Sequence, residues 1–139
     1  YPRNYYFPVL ASIRALEQAL AASDPETFDR AFRNAGHWNR IALALHPHQI
    51  EALQVRCRIL QEKGEAKAAA EFWRESVLER EFWNPDRHEV FVELCLRAGE
   101  ETRAIEAARW LRRGETLRKV RLLEQRRTAL REKASREAR

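Results

Sequence analysis

The sequence has few of the residues that build catalytic and metal sites. In 139 residues it has four glycines, two cysteines and no methionine. It contains no glycine-rich phosphate-binding loop, no nucleophile elbow and no HExxH zinc motif, and its cysteines have no CxxC spacing. We therefore expect a protein that is not an enzyme, with no catalytic residues, no cofactor and no resident metal.

The sequence also lacks an apolar run of about 18 residues, the length that spans a bilayer as a helix, and it has no secretory signal. It starts at Tyr1 without an initiator methionine, so we expect a processed or trimmed portion of a longer protein. A targeting or membrane segment could precede it. The compartment stays open between cytoplasm and periplasm, with membrane association through such an upstream segment as a further option.

What the chain does have is helical periodicity. With 45% hydrophobic and 34% charged residues, it can build a core and still cover it. Ile50, Leu53, Cys57 and Leu60 step by three, four and three, which places them on one helical face. Apolar residues recur at the same helical period along the rest of the chain, which predicts an all-α protein. Its seven helices are predicted at residues 9–22, 26–45, 49–63, 65–82, 86–98, 100–113 and from 115 to near the end. The predicted organisation is an irregular aromatic segment at 1–8, a helical-repeat domain at 9–114 with about three helix pairs, and a basic helix at 115–139.

Two stretches of the chain resemble each other. Residues 53–69 and 92–104 each contain the end of one helical pattern, a glycine and the start of another. The glycines, Gly64 and Gly99, are 35 residues apart. Self-similarity at this period is typical of stacked helical repeats, which bind partners more often than they catalyse reactions.

The repeated stretch resembles the tetratricopeptide repeat, a helix–turn–helix unit of about 34 residues. The match covers residues 50–114. In the middle unit it is carried by Leu53, Cys57, Leu60, Gly64, Ala69, Trp73 and Ser76, with Pro47 before it, and in the next unit by Val92, Cys95, Gly99, Ala104, Ala108 and Leu111. The chain departs from the pattern where Ala108 replaces an aromatic residue, where His88 stands in place of a large one, and where residues 82–85 lengthen the junction. The resemblance implies a short right-handed α-solenoid.

The resemblance also implies a binding site, since the first helices of such pairs line a concave groove. The corresponding residues are Gln54, Arg58, Gln61, Glu89, Glu93 and Arg97. Their mixed charge is suited to a polar peptide or helix of a partner protein, so we expect an adaptor or scaffold. Trp83, in the junction beside Phe82, is a further candidate partner contact. The favoured interpretation of this junction is that Phe82 is buried and that Trp83 covers the next helix, and a partner contact is the alternative.

Positive charge is concentrated at the C-terminal end. Residues 109–139 carry 12 Lys and Arg against 4 Glu. A thin apolar stripe of Val120, Leu123, Leu130 and Ala134 predicts a helix whose first half packs on the preceding one. This helix is a solvated cap on the repeats, a coiled-coil arm, or a surface for an acidic protein or anionic lipid. Nucleic acid is disfavoured, because no aromatic side chain is interleaved for base stacking.

A second functional hypothesis belongs to a different class. The aromatic N-terminus and the basic C-terminal helix could attach the chain to a larger membrane-associated assembly, as a structural subunit or an extension of it.

Two smaller questions stay open at this stage. Cys57 and Cys95 both fall at inward helix positions. They are either small buried thiols or the two halves of a disulfide between neighbouring repeats. His46 and His48 flank Pro47. They belong either to a surface turn or to a metal-binding site.

Overall fold

The chain is all-helical, as the periodicity predicted. The computed structural model describes the backbone of residues 2–109, 111 and 114–138, and the side chains of residues 6–109, 111 and 121–138. This part of the chain contains no strand and forms seven α-helices: α1 (Pro2–Ala21), α2 (Pro25–Leu45), α3 (Ile50–Glu62), α4 (Ala66–Trp73), α5 (Pro85–Arg97), α6 (Glu101–Arg109) and α7 (Gly114–Glu137). A π-helical turn, Arg74–Leu78, continues α4.

The helices form two compact units, Tyr1–Glu79 and Arg80–Arg139. In the first unit α1 packs on α2, α2 on α3, and α3 on α4. In the second unit α5 packs on α6, and α6 on α7. The boundary at residue 79 differs from the predicted division at 114, since α7 belongs to the same compact unit as α5 and α6.

Side-chain caps and prolines start two of the helices. The Asp24 carboxylate accepts hydrogen bonds from the Thr27 amide and hydroxyl, both at 2.8 Å, and Pro25 follows it. The bond from the backbone N–H of Thr27 is the main cause that lowers the pKa of Asp24. Asn84 is the corresponding cap of α5. Its side chain accepts a hydrogen bond from the Asp86 amide at 3.0 Å, and Pro85 occupies the first turn of the helix.

Gly64 and Gly99 end α3 and α5 with the same turn. Their φ angles are +78° and +73°, in the left-handed region that favours glycine. The Gly64 amide donates to the Gln61 carbonyl at 3.0 Å, and the next amide donates to the Leu60 carbonyl at 2.9 Å. The corresponding bonds after α5 measure 3.1 and 2.9 Å. Both turns are therefore Schellman motifs, and the prediction that each glycine lies just past a helix end is confirmed.

The aromatic N-terminal segment is helical, which corrects the irregular segment predicted for residues 1–8. Over residues 2–8 the chain already belongs to α1, which continues through Pro8. Two prolines suggested an irregular start, because a proline inside a helix removes one backbone hydrogen bond. Packing offsets that loss here, since Pro8 is buried and the Phe7 ring meets the Trp38 ring edge-on at 5.3 Å.

The buried face of α1 agrees only in part with the helical pattern of Leu10, Ile13, Leu16 and Leu20, which predicts those four residues inside. Leu16 is buried and Ile13 packs on the core, but Leu10 and Leu20 are 44% and 45% exposed. The buried residues step by three and four through smaller side chains: Val9, Ser12, Leu16 and Ala19, with Ala15. Small residues allow α1 and α2 to approach closely, so close helix contact decides the orientation rather than the largest side chains.

A buried amide joins α2 to α3. Asn39 is completely buried, and its Nδ2 donates to the Ala52 carbonyl oxygen at 2.9 Å. Among the described residues its Oδ1 has no hydrogen-bond partner. Apolar clusters form around this bond, one with Val9, Ala42 and Ala52 and the other with Ala15, Leu16, Ala35, Val55 and Ile59.

Trp73 is the largest fully buried side chain among the described residues. The helical spacing of Ala66, Ala69, Ala70 and Trp73 predicts this burial. Trp73 precedes the π-helical turn, in which the Glu79 amide bonds to the Arg74 carbonyl at 3.2 Å. The wider turn keeps Val77 and Leu78 buried with Trp73.

The two cysteines are buried thiols, and no disulfide joins them. Cys57 lies against α4, where its Sγ donates to the Ala69 carbonyl at 3.7 Å. Burial raises the pKa of Cys57 to about 12, and the nearby Arg56 opposes this effect. The small-apolar interpretation of Cys57 and Cys95 thus applies to both.

Glycine substitutions should separate backbone conformation from helix propensity. Gly64→Ala should lower the free energy of unfolding by about 1–2 kcal/mol, because alanine is strained at positive φ. Gly36 lies inside α2, and a Cβ there would meet nothing within 4 Å. Gly36→Ala should therefore raise the free energy of unfolding by about 0.5–1 kcal/mol. Urea denaturation measures both changes, and a neutral Gly64→Ala would contradict the assigned turn.

Trp73→Ala should lower the free energy of unfolding by about 3–5 kcal/mol, since it leaves a large cavity in the core. Trp83→Ala is the matched control. Its ring is 67% exposed, so the loss should stay within about 0.5 kcal/mol. Equal losses in the two variants would place Trp73 outside the core.

Cys57 should react slowly with a thiol reagent in the folded protein, because its raised pKa keeps the thiol protonated. The protonated Cys57 thiol contributes its full stabilisation of the fold below the pKa of the unfolded thiol, near 9.0. This stabilisation is lost as the pH rises toward about 12. In a Cys95→Ala background, Cys57→Ala should therefore reduce the fall in the free energy of unfolding over that pH range. Labelling as fast as that of the unfolded chain would show that the thiol is accessible.

Candidate partner-binding surfaces

The predicted groove residues of the first unit lie along one side of α3. Gln54 is exposed, while Arg58 and Gln61 are half-buried. Arg58 is already in an ion pair, since its guanidinium lies 3.1 Å from the Glu62 carboxylate one turn later. A partner carboxylate would compete with Glu62 for this guanidinium, so Arg58 alone would contribute little to affinity.

The remaining groove residues belong to the second unit and follow one another along α5. Glu93 and Arg97 are exposed, and Glu89 is half-buried. Their spacing of four residues puts them on one side of that helix. The predicted groove residues thus fall into two triplets, one in each compact unit, and each triplet forms a mixed polar surface on its own helix.

Trp83 and its neighbour Phe82 form an exposed aromatic pair at the start of the second unit. Their side chains are 67% and 64% exposed. The backbone beneath them is held in place, because the Phe82 carbonyl lies 2.6 Å from a ring nitrogen of His88 and the Asn84 amide donates to the Glu81 carbonyl at 2.9 Å. The expectation that Phe82 is buried is therefore wrong. Exposed aromatic side chains on a fixed backbone are typical of partner contacts.

The basic helix α7 contacts α6 through polar groups. Arg109 pairs with Glu124 at 3.2 Å, and Arg127 lies 3.3 Å from the Thr102 hydroxyl. Leu130, expected to pack on α6, is 59% exposed. Val120 of the predicted stripe lies outside the described side chains. Residues 131–138 are exposed and remain helical through Glu137.

A basic cleft between α2 and α3 escaped the sequence analysis. It measures about 530 Å³ and is lined by Phe32, Arg33, Asn34, Gly36, His37, Arg40, Arg56, Ile59 and Lys63. The lining contains four Lys or Arg side chains and no carboxylate. A sequence signal exists, since each helix supplies two cations seven residues apart, but only the packing of α2 on α3 brings the two pairs to one cleft.

The described residues offer no cluster of three His, Cys, Asp or Glu side chains that could hold a metal ion. His46 and His48 stand in the turn between α2 and α3, in agreement with the surface-turn interpretation. In the same part of the chain, no helix is long and apolar enough to cross a membrane.

No protein-family model, curated protein or solved structure matches this chain. Any functional proposal has to rest on the chemistry of the residues above.

Proposed function

We propose that the protein is a non-enzymatic adaptor or scaffold that binds a peptide or helix of a partner protein. In this proposal its helix pairs stack as a short right-handed α-solenoid of tetratricopeptide-like units. The exposed pair Phe82 and Trp83 supplies an apolar anchor, and the polar triplets of α3 and α5 supply charge-assisted hydrogen bonds.

The observation that carries the proposal is the aromatic pair. Two large aromatic side chains more than 60% exposed lose apolar contact with water only when something covers them. Their backbone is already fixed by the bonds to His88 and Glu81, so a partner would pay little to order them. Rigid aromatic anchors of this kind dominate many protein interfaces.

The repeated glycine turns support the repeat architecture. Gly64 and Gly99 end α3 and α5 with the same pair of hydrogen bonds, 35 residues apart in the chain. Each turn leads directly into a second helix, α4 or α6, which packs on the first. Such hairpins, repeated at this period, are typical of tetratricopeptide-like proteins.

The aromatic anchor is tested on the partner that affinity capture and mass spectrometry identify in the native source. Phe82→Ala with Trp83→Ala should weaken that complex by about 2 kcal/mol or more in titration calorimetry, as expected for an interface hot spot. The melting temperature should be unchanged. Leu122→Ala, which alters another exposed apolar side chain of the same unit at 61% exposure, is the control. Full affinity in the aromatic double variant would remove the anchor from the interface.

The polar groove is tested separately by charge reversal. Arg58→Glu with Arg97→Glu should weaken the same complex without lowering stability, because exposed ion pairs contribute about 0–1 kcal/mol to folding. Arg14→Glu with Arg121→Glu makes the same change in net charge at exposed positions, one in each unit. If both double variants lost affinity equally, the effect would be one of net charge and not of the groove.

A further inference from the structure

The basic cleft of the first unit has a defined length and register. A short turn at residues 46–49 joins α2 to α3, and the bond from Asn39 to the Ala52 carbonyl pairs the end of one helix with the start of the next. The two helices therefore run antiparallel. Arg40 and Arg56 lie toward the turn, and Arg33 and Lys63 lie toward the opposite end.

The two pairs of cations are about 10 Å apart along the cleft, since seven residues of helix rise about 1.5 Å each. An extended peptide covers this distance in about three residues. A single small anion could reach only one pair at a time. The cleft is thus matched in length to a ligand with several negative charges in a row.

The cations of the cleft lack the carboxylate partners that other arginines of the chain have. Arg58, Arg87 and Arg103 are paired with glutamates at 2.9–3.3 Å. In contrast, no described residue forms an ion pair with Arg33, Arg40, Arg56 or Lys63. Arg33 donates its Nε to the Asp29 carbonyl at 3.3 Å, which leaves its terminal nitrogens available.

The cleft also has an apolar part and an open backbone surface. The half-buried Phe32 lines it between the cations, above the buried Ile59. Gly36 lies in the same lining, and a Cβ there would meet nothing within 4 Å, so packing gives no reason for a glycine in the middle of α2. Close approach of a ligand to the helix backbone would give one.

From these observations we infer that the cleft binds an acidic peptide segment of the partner protein, with carboxylates at both ends and an apolar side chain on the half-buried Phe32 ring. The inference rests on the proposed function in that the partner is a protein. Guanidinium groups recognise carboxylates through paired hydrogen bonds, and four cations in one cleft would attract an acidic segment from solution. The exposed position of the cleft fits a peptide laid across it.

The test uses the full chain and a fluorescein-labelled peptide with two glutamates on each side of two leucines, read by fluorescence anisotropy. We expect saturable binding that weakens with salt, and no binding of the peptide in which glutamine replaces every glutamate. Arg40→Gln with Arg56→Gln should weaken binding about tenfold or more, which corresponds to the loss of at least one charge-assisted bond. Arg14→Gln with Lys67→Gln removes the same charge at exposed positions outside the cleft and should change affinity less than about twofold.

Gly36→Leu provides a second variant that keeps every charge. Its side chain would enter the cleft, so peptide binding should fall while circular dichroism and the melting temperature stay at or above those of the parent chain. The inference is overturned if the acidic peptide does not bind, if it binds the cleft variants as tightly as the parent, or if inorganic pyrophosphate binds the cleft and the peptide does not.

The native partner separates this inference from the proposed function. If the cleft variants bind that partner normally while Phe82→Ala with Trp83→Ala does not, the acidic-peptide site is wrong and the adaptor proposal stands. If the synthetic peptide binds the cleft but no protein partner responds to any variant, the cleft is an anion site and the adaptor proposal fails.

Discussion

The hydrogen bond from Asn39 to the Ala52 carbonyl is the contact on which the first unit depends. It is fully buried, it joins two helices, and it leaves the Asn39 Oδ1 without a partner among the described residues. A buried amide is costly to bury, about 1–3 kcal/mol when a hydrogen bond is missing. An apolar residue would avoid that cost, but it would not select one register of α2 on α3. The bond favours one register, and in that register Val9 meets both Ala42 and Ala52, Val55 and Ile59 pack against α1, and the cleft cations lie in two pairs.

The features that the sequence predicted well are those that depend on residues close together in the chain. The all-α class, the cap at Asp24 and the ends at Gly64 and Gly99 each depend on a few neighbouring residues, and each has a recognisable pattern. The cap at Asn84 has the same kind of pattern but was not predicted. The buried face of α3 and α4 was also predictable, because its large residues repeat at the helical period. Within the candidate sites, sequence could place the polar triplets along α3 and α5. It favoured Trp83 as a cover on the next helix, whereas that residue is 67% exposed.

The sequence-based predictions were wrong where packing between helices determines the structure. For α1, large side chains suggested one face, yet close contact with α2 selected the face with Ser12 and Ala19. Pro2 and Pro8 suggested an irregular start, but packing of Phe7 on Trp38 supports a helix there. Phe82 was expected to be buried because it is large and apolar, a preference that holds only where a neighbour can cover the ring. The basic cleft depends on two helix faces whose residues are up to 30 positions apart.

Charge distribution links these features to recognition. Carboxylates of the chain pair with Arg58, Arg74, Arg87 and Arg103, and the hydrogen bond to Glu71 raises the pKa of Arg74 above its usual value. Those cations are largely neutralised within the fold. The four cleft cations form no ion pair with a described residue, so their positive charge stays available to a ligand. An acidic partner would then be attracted first by long-range charge. Its specificity would depend on short-range contacts that screening does not weaken, at the apolar part of the cleft and at the exposed aromatic pair.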